Sequence, residues 1–166
     1  MKQRIFSFEP VADDDSEILI LGSVPGRKSL EEQRYYAHPQ NHFWKLMFEL
    51  LEEDFTTDYA RRKELLKRHH IALWDVIDSC ERRSSLDSDI RNEEHNGIAD
   101  FLHQHPKIKA IFCNGQKSFH QLKKILPGNF GIPIIALPST SPAHASLSYE
   151  EKKREWSRII CKEDQI

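Results

Sequence analysis

The chain has 166 residues, of which 39% are hydrophobic and 30% are charged, which is enough for one ordinary hydrophobic core but hardly for two. We therefore expect a single domain over residues 1–166. The formal net charge is −2, from 24 Lys and Arg against 26 Asp and Glu, which argues against a protein that holds nucleic acid by bulk electrostatic attraction alone.

Neither a membrane segment nor a metal site is indicated. Three consecutive aspartates at 13–15 interrupt the start of the chain, and nowhere do 18 apolar residues follow one another, so we expect a soluble cytoplasmic protein. Cys80, Cys113 and Cys161 lie far apart and form no CxxC pair. We expect three reduced thiols, no metal or iron–sulfur cluster, and no other cofactor.

Short apolar segments that end in turn formers alternate with segments whose apolar residues recur at helical spacing. In chain order the predicted elements are strand 18–21, helix 43–51, strand 71–76, helix 98–105, strand 110–113, helix 118–126, strand 132–137 and helix 149–161. Residues 52–63 are interpreted as a polar connection. The alternation predicts an α/β fold, a three-layer αβα sandwich around a central, mostly parallel four-stranded sheet, with ligands bound beyond the carboxyl ends of the strands.

The first predicted strand ends in the sequence GSVPG at residues 22–26. Glycines let the backbone approach a ligand closely, and the start of a following helix could offer amides to a phosphate. An ordinary strand-to-loop turn explains the motif equally well. The candidates here are Gly22, Ser23 and Val24 for base binding, and Arg27 and Lys28 for DNA binding.

A dense mixture of rings and amides, YYAHPQNHFW, occupies residues 35–44 just before a predicted helix. Aromatic rings stack on bases, and an asparagine side chain can orient a water molecule or hydrogen-bond to a base edge. Tyr36 is therefore a base-binding candidate and Asn41 a catalytic candidate. The structural alternative is that Asn41 caps the helix that starts at Phe43 and that Trp44 packs in the core.

Two further strands also end in polar residues. Asp75 could accept a hydrogen bond from a ring N–H, or it could cap a helix or pair with Arg82 or Arg83. Asn114, with the glycine after it, is most simply a turn and is also kept as a base-binding candidate.

The last predicted strand is followed by the sequence LPSTSPAHA at residues 137–145. Its serines can donate to phosphate, and prolines reduce the entropy that a loop loses on binding. A proline-rich crossover loop is the structural alternative. The DNA-binding candidates in this loop are Ser139, Thr140, Ser141, Pro142, Ala143 and His144.

Taken together and in order, GSVPG, YYAHPQNHFW, ALWDV with SSLDSDI, IFCNG and LPSTSPAHA resemble the uracil-DNA glycosylase superfamily across residues 18–145. YAHPQNHFW is similar to a segment of the mismatch-specific uracil glycosylases, and LPSTSPAHA is similar to the superfamily's minor-groove wedge loop. The whole set most resembles the hypoxanthine-DNA, or deoxyinosine, glycosylases. This resemblance implies a small, metal-free, monofunctional enzyme with the three-layer fold.

The chain departs from the mismatch-specific pattern at Val24, where those enzymes have the asparagine of GxNPG that positions the attacking water. Resemblance to the hypoxanthine branch implies that Asn41 supplies this asparagine instead. It also implies that Tyr36 stacks on the flipped base and that residues 139–144 fill or brace the strand that the base has left. The departure argues against strong uracil activity.

We therefore expect a monomer that acts on DNA containing deaminated bases and hydrolyses the N-glycosidic bond of hypoxanthine, or of uracil or xanthine. Backbone amides near Ser23 and Gly26 would stabilise the departing base. Three alternatives stay open: a mismatch-specific uracil or thymine glycosylase, a catalytically weak DNA-binding module of the same fold, and a hydrolase that uses Ser23, His144 and Asp75.

Overall fold

The computed structural model describes residues 4–84 and 86–160. Its strands are β1 (Arg4–Phe6), β2 (Ile18–Gly22), β3 (Ile71–Asp75), β4 (Ile77–Glu81), β5 (Arg91–His95), β6 (Ala110–Asn114) and β7 (Ile134–Leu137). Its α-helices are α1 (Arg27–Glu32), α2 (Phe43–Leu50), α3 (Tyr59–Arg68), α4 (Ile98–Gln104), α5 (Gln116–Ile125) and α6 (Tyr149–Trp156). None of the helices in this described part is long and apolar enough to cross a membrane.

The central sheet has four strands in the order β3-β2-β6-β7, and every pair in it is parallel. Its two inner strands, β2 and β6, are buried on both faces, which is why they are apolar runs in the sequence. Side chains of α2, α3 and α6 pack on one face, and side chains of α4 and α5 pack on the other. The predicted three-layer α/β sandwich is confirmed.

The strand order sets the position of the site. From β2 the chain passes to β3 on one side of β2, and it then crosses to β6 on the other side. The carboxyl ends of β2 and β6 therefore border the crevice where the direction of winding changes, which is the usual ligand position in such sheets. Gly22 ends one of these strands and Asn114 ends the other.

Three features of the structure differ from the sequence-based prediction. A second, antiparallel sheet in the order β1-β4-β5 was not predicted, because β5 has no apolar side chain and β1 pairs with β4 from a distant part of the chain. Helix α1 was missed because it has six residues. The interpretation of residues 52–63 as a polar connection is wrong at its end, where α3 begins at Tyr59; Asp58 caps this helix by accepting from the Ala60 N–H at 3.0 Å.

The cysteine prediction is tested at two positions. Cys80 and Cys113 are buried free thiols, and the pKa of each is raised by burial, that of Cys113 to about 12. These two thiols therefore serve packing. Cys161 lies outside the described residues, as does the end of the helix predicted over 149–161. Within the described part, α6 ends at Trp156 and is followed by a short 3-10 helix at Ser157–Ile159.

Candidate active site

A cavity of about 830 Å³ opens at the carboxyl ends of the parallel strands. The structure brings every site residue predicted from the sequence to its lining: Gly22, Ser23, Val24, Arg27, Lys28, Tyr36, Asn41, Asp75, Asn114, Ser139, Thr140, Ser141, Pro142, Ala143 and His144. The roles assigned to these residues stay predictions. Their geometry limits what each of them can do.

Asn41 is held rigidly at the start of α2. Its side-chain Oδ1 accepts a hydrogen bond from the backbone N–H of Phe43 at 2.9 Å, and its own N–H donates to the His38 carbonyl at 2.9 Å. The N-cap residue of α2 is His42, which has no side-chain cap, and Asn41 directly before it binds the first N–H of the helix. A carbonyl oxygen has two lone pairs, so the same Oδ1 can accept a second hydrogen bond from a water molecule in the cavity.

Tyr36 has an unusual backbone and an unpartnered hydroxyl. Its φ of 53° lies in the left-handed region, and its ring stacks on Phe43 with a centroid distance of 4.3 Å. The hydroxyl is buried and finds no hydrogen-bond partner among the described residues. Burial, and then the charge of Asp75, raise the pKa of Tyr36 above its ordinary value, and the neighbouring Asn114 side chain opposes this rise; the group is a neutral donor.

Asp75 is the buried carboxyl of the site, with 3% of its surface exposed. Its Oδ2 has no hydrogen-bond partner in the described part of the chain. Burial, followed by the negative charge of Asp87, raises the pKa of Asp75 to about 7, and the charge of Arg82 opposes this rise. A carboxyl group that titrates near neutrality can both donate and accept a hydrogen bond.

Arg82 does not pair with Asp75 in the way that the sequence allowed. Its guanidinium donates instead to the Pro25 carbonyl, while its Nε and Nη1 have no hydrogen-bond partner within the described residues. Arg82 therefore braces the 22–26 loop and acts on the pKa of Asp75 through its charge.

Gly22 lies between Asp75 and Tyr36. A Cβ atom at this position would be 2.6 Å from Asp75 Oδ1 and 2.7 Å from the Tyr36 hydroxyl oxygen. Both distances are far below van der Waals contact, so any side chain at position 22 would displace one of the two polar groups. A glycine at position 22 is thus required for Asp75 and the Tyr36 hydroxyl to lie this close to the backbone of residue 22.

Val24 faces a small hydrophobic cluster beside the antiparallel sheet. It is buried, and it packs with Ile77, Cys80 and Ile90. This packing is the physical reason for an apolar residue at this position. Contact of Val24 with a base stays a prediction.

The serine hydrolase arrangement that the sequence left open as an alternative does not assemble. The Ser23 hydroxyl donates to Asp87 Oδ1 at 2.7 Å, whereas His144 Nε2 contacts the Ser146 hydroxyl at 3.4 Å. A nucleophilic serine needs its base within hydrogen-bond reach, and here the partner of Ser23 is a carboxylate. Asp87 is a cavity-lining residue that was not among the predicted site residues; the polar run RRSSLDSD was the available signal.

Asn114 fixes the loop formed by residues 139–144, here called the 139–144 loop. Its Oδ1 accepts from the Thr140 N–H and its Nδ2 donates to the Thr140 hydroxyl, both at 2.9 Å. The His42 N–H donates to the Thr140 carbonyl at 3.0 Å, which ties the loop to the segment that carries Asn41. Asn114 braces this loop, and its predicted contact with a base stays untested.

The cationic candidates lie at the rim. Arg27 and Lys28 are exposed at the start of α1, and Lys28 pairs with Glu32 at 3.2 Å. Over the described residues, no group of three His, Cys, Asp or Glu side chains could hold a metal ion. The cavity lining offers amide, phenol, carboxyl, hydroxyl, imidazole and cationic side chains together with backbone groups.

Comparisons with known proteins agree with this geometry. The model of the uracil DNA glycosylase superfamily matches residues 9–163. The hypoxanthine DNA glycosylases of Methanosarcina barkeri and Methanosarcina acetivorans are 42% and 35% identical to this chain, each over 92% of it and 96% of the relative. A G/U mismatch-specific uracil DNA glycosylase of Schizosaccharomyces pombe is 29% identical over 87% of the chain and 50% of its own length.

A solved structure has the same fold. The solution NMR structure of a putative uracil DNA glycosylase from Methanosarcina acetivorans superposes with a TM-score of 0.82 at 34% identity, over 95% of this chain and 96% of that one. The match of the family model spans the central sheet, the cavity and the 139–144 loop. This chain therefore belongs to the uracil DNA glycosylase superfamily.

Proposed function

We propose that this protein is a monofunctional DNA glycosylase that hydrolyses the N-glycosidic bond of hypoxanthine in DNA. The names and identities of the two Methanosarcina relatives support hypoxanthine as the substrate, with uracil and xanthine as further candidates. We also propose that it acts as a monomer in the cytoplasm, on DNA that contains deaminated bases.

The observation that carries the proposal is the meeting of Asn41 and Asp75 in one cavity at the crevice between β2 and β6. Hydrolysis of a glycosidic bond needs a positioned water on one side of the sugar and a receptor for the departing base on the other. In our proposal Asn41 Oδ1 orients the water, because the Phe43 N–H holds this side chain in place.

The base would meet Asp75, Tyr36 and the backbone of the 22–26 loop. Hypoxanthine presents an N1–H donor beside the O6 acceptor, and an unpartnered carboxyl group can match both of these groups. Negative charge develops on the base as it leaves, so backbone amides near Ser23 and Gly26 would stabilise it. The ring of Tyr36 would stack on the base through the face opposite to Phe43.

The experiment is base release from labelled duplexes that carry one inosine, one uracil or one xanthine, followed by alkaline cleavage of the abasic strand. We expect wild type to release hypoxanthine and Asn41→Ala to lose roughly 100-fold or more in rate, because the attacking water is no longer held. Gln40→Ala, which changes the exposed neighbouring residue, is the matched control and should keep the wild-type rate.

A mismatch-specific uracil glycosylase is the second candidate, and the Schizosaccharomyces pombe relative favours it. Release of uracil alone would support that candidate. Val24 argues against it, because this apolar side chain packs in a hydrophobic cluster where a water-positioning asparagine would be needed. Binding of lesion-containing DNA with no release of any base would instead indicate a DNA-binding module.

A further inference from the structure

Helix α6 contains a buried lysine that the proposed chemistry does not use. Lys152 is 1% exposed, and its ammonium group donates to the backbone carbonyl of His144 at 2.7 Å. Among the described residues it has no carboxylate within ion-pair distance, and burial lowers its pKa. Burying an ammonium group without a carboxylate partner is unfavourable, and here the buried ammonium fixes the position of the His144 carbonyl.

A second residue of the same helix holds the other end of the same loop. Trp156 lies one turn after Lys152 and therefore on the same face of α6. It is fully buried, and its indole N–H donates to the Pro138 carbonyl at 2.8 Å. The two hydrogen bonds thus bracket the 139–144 loop, one directly before it and one at its last residue.

The other anchors of the loop lie near its start. Asn114 and His42 both bind Thr140, whereas Pro142 and Ala143 are exposed. The hydrogen bond from Lys152 is therefore the anchor next to the residues that project from the loop. Without it, the projecting segment would keep its anchors at Pro138 and Thr140 at one end, and at the other it would keep the turn in which the His144 N–H donates to the Ser141 carbonyl at 3.0 Å, but no hydrogen bond to α6.

We propose that Lys152 and Trp156 are positioning residues that aim the 139–144 loop at the DNA strand, so that the loop can occupy the space that a flipped nucleotide leaves. The inference rests on the proposed function. Its distinctive consequence concerns the strand state of the substrate. A base in single-stranded DNA is already unpaired and costs less to flip, so a loop that supports strand opening matters for a duplex and matters little for a single strand.

The test compares single-turnover excision of hypoxanthine from an inosine duplex and from the same strand without its complement. Lys152→Met removes the ammonium donor and keeps an apolar chain of similar length. Lys153→Met is the matched control, because it removes the adjacent lysine of the helix, which pairs with Glu49 at 3.0 Å at the surface. Trp156→Phe removes the second donor and keeps a ring in the core. If Lys152→Met does not fold, the duplex and single-strand rates are compared with Trp156→Phe alone.

We expect Lys152→Met and Trp156→Phe to lower the duplex rate by about tenfold through loss of a buried hydrogen bond, with the single-strand rate within about twofold of wild type. Lys153→Met should leave the ratio of the two rates unchanged. An equal fall on both substrates would show a general structural role and overturn the inference, as would an unchanged duplex rate. If wild type releases no base, the proposed function itself fails and the inference falls with it.

Discussion

Replacing Asp75 by asparagine should make the protein more stable at alkaline pH. The carboxyl is 3% exposed, its Oδ2 has no hydrogen-bond partner among the described residues, and its pKa rises from 3.8 to about 7 on folding. A folded-state pKa above the unfolded value means that folding favours the protonated form. The contribution of Asp75 to stability is therefore complete below about pH 4 and is lost as the pH rises through about 7.

The size of the effect follows from the two pKa values. A change from 3.8 to about 7 corresponds to about 4 kcal/mol between acid and alkaline limits. Between pH 5 and pH 8 the same linkage gives a loss of about 3 kcal/mol, because part of the change is already complete at pH 5. An amide at position 75 does not titrate, so Asp75→Asn should not show this loss.

Urea unfolding of wild type and Asp75→Asn at pH 5 and pH 8 measures the difference directly, since all other titrating groups are shared. The free energy of unfolding of Asp75→Asn relative to wild type should rise by about 3 kcal/mol between the two pH values. Asp78→Asn, which changes an exposed carboxylate of β4, is the control and should follow wild type. Parallel pH dependence of wild type and Asp75→Asn would refute the assignment of the raised pKa to burial of Asp75.

Three further substitutions test contacts of other residues that line the cavity. Tyr36→Phe removes a buried hydroxyl that has no partner in the described chain, so the free energy of unfolding in urea should stay the same or rise by about 1 kcal/mol. Gly22→Ala places a Cβ 2.6 Å from Asp75 Oδ1, so it should lower the free energy of unfolding by about 1–3 kcal/mol and lower the excision rate; a variant as stable and active as wild type would contradict the close approach. Ser23→Ala removes the hydrogen bond to Asp87 and should leave the excision rate within about threefold of the wild-type rate. Complete loss of excision would instead support a nucleophilic role for Ser23.

The sequence was sufficient for the central layers because their residues carry local patterns. Each parallel strand is a short apolar run that ends in turn formers, and each predicted helix repeats its apolar side chains at helical spacing. The antiparallel sheet has no such pattern. Its edge strand β5 reads RNEEH and is a strand because it pairs with β4, while β1 pairs with β4 from a distant part of the chain. Helix α3 was missed for a related reason, since Leu65 and Leu66 are its only fully buried residues.

For the site, the sequence was sufficient to name residues that line the cavity. Most of the candidates follow the end of a strand, and strands of one parallel sheet end at a common edge, whereas Tyr36 and Asn41 were found from their residue types in the segment before α2. What those residues do there was decided by tertiary contacts. Asn114 is bonded to Thr140, Ser23 to Asp87 and Arg82 to Pro25, while Oδ2 of Asp75 is left without a partner in the described part of the chain. These pairings join residues up to 64 positions apart. The pKa of Asp75 is set by its burial and by the charges of Asp87 and Arg82. Only folding brings these groups close to Asp75, so the sequence alone does not give this pKa.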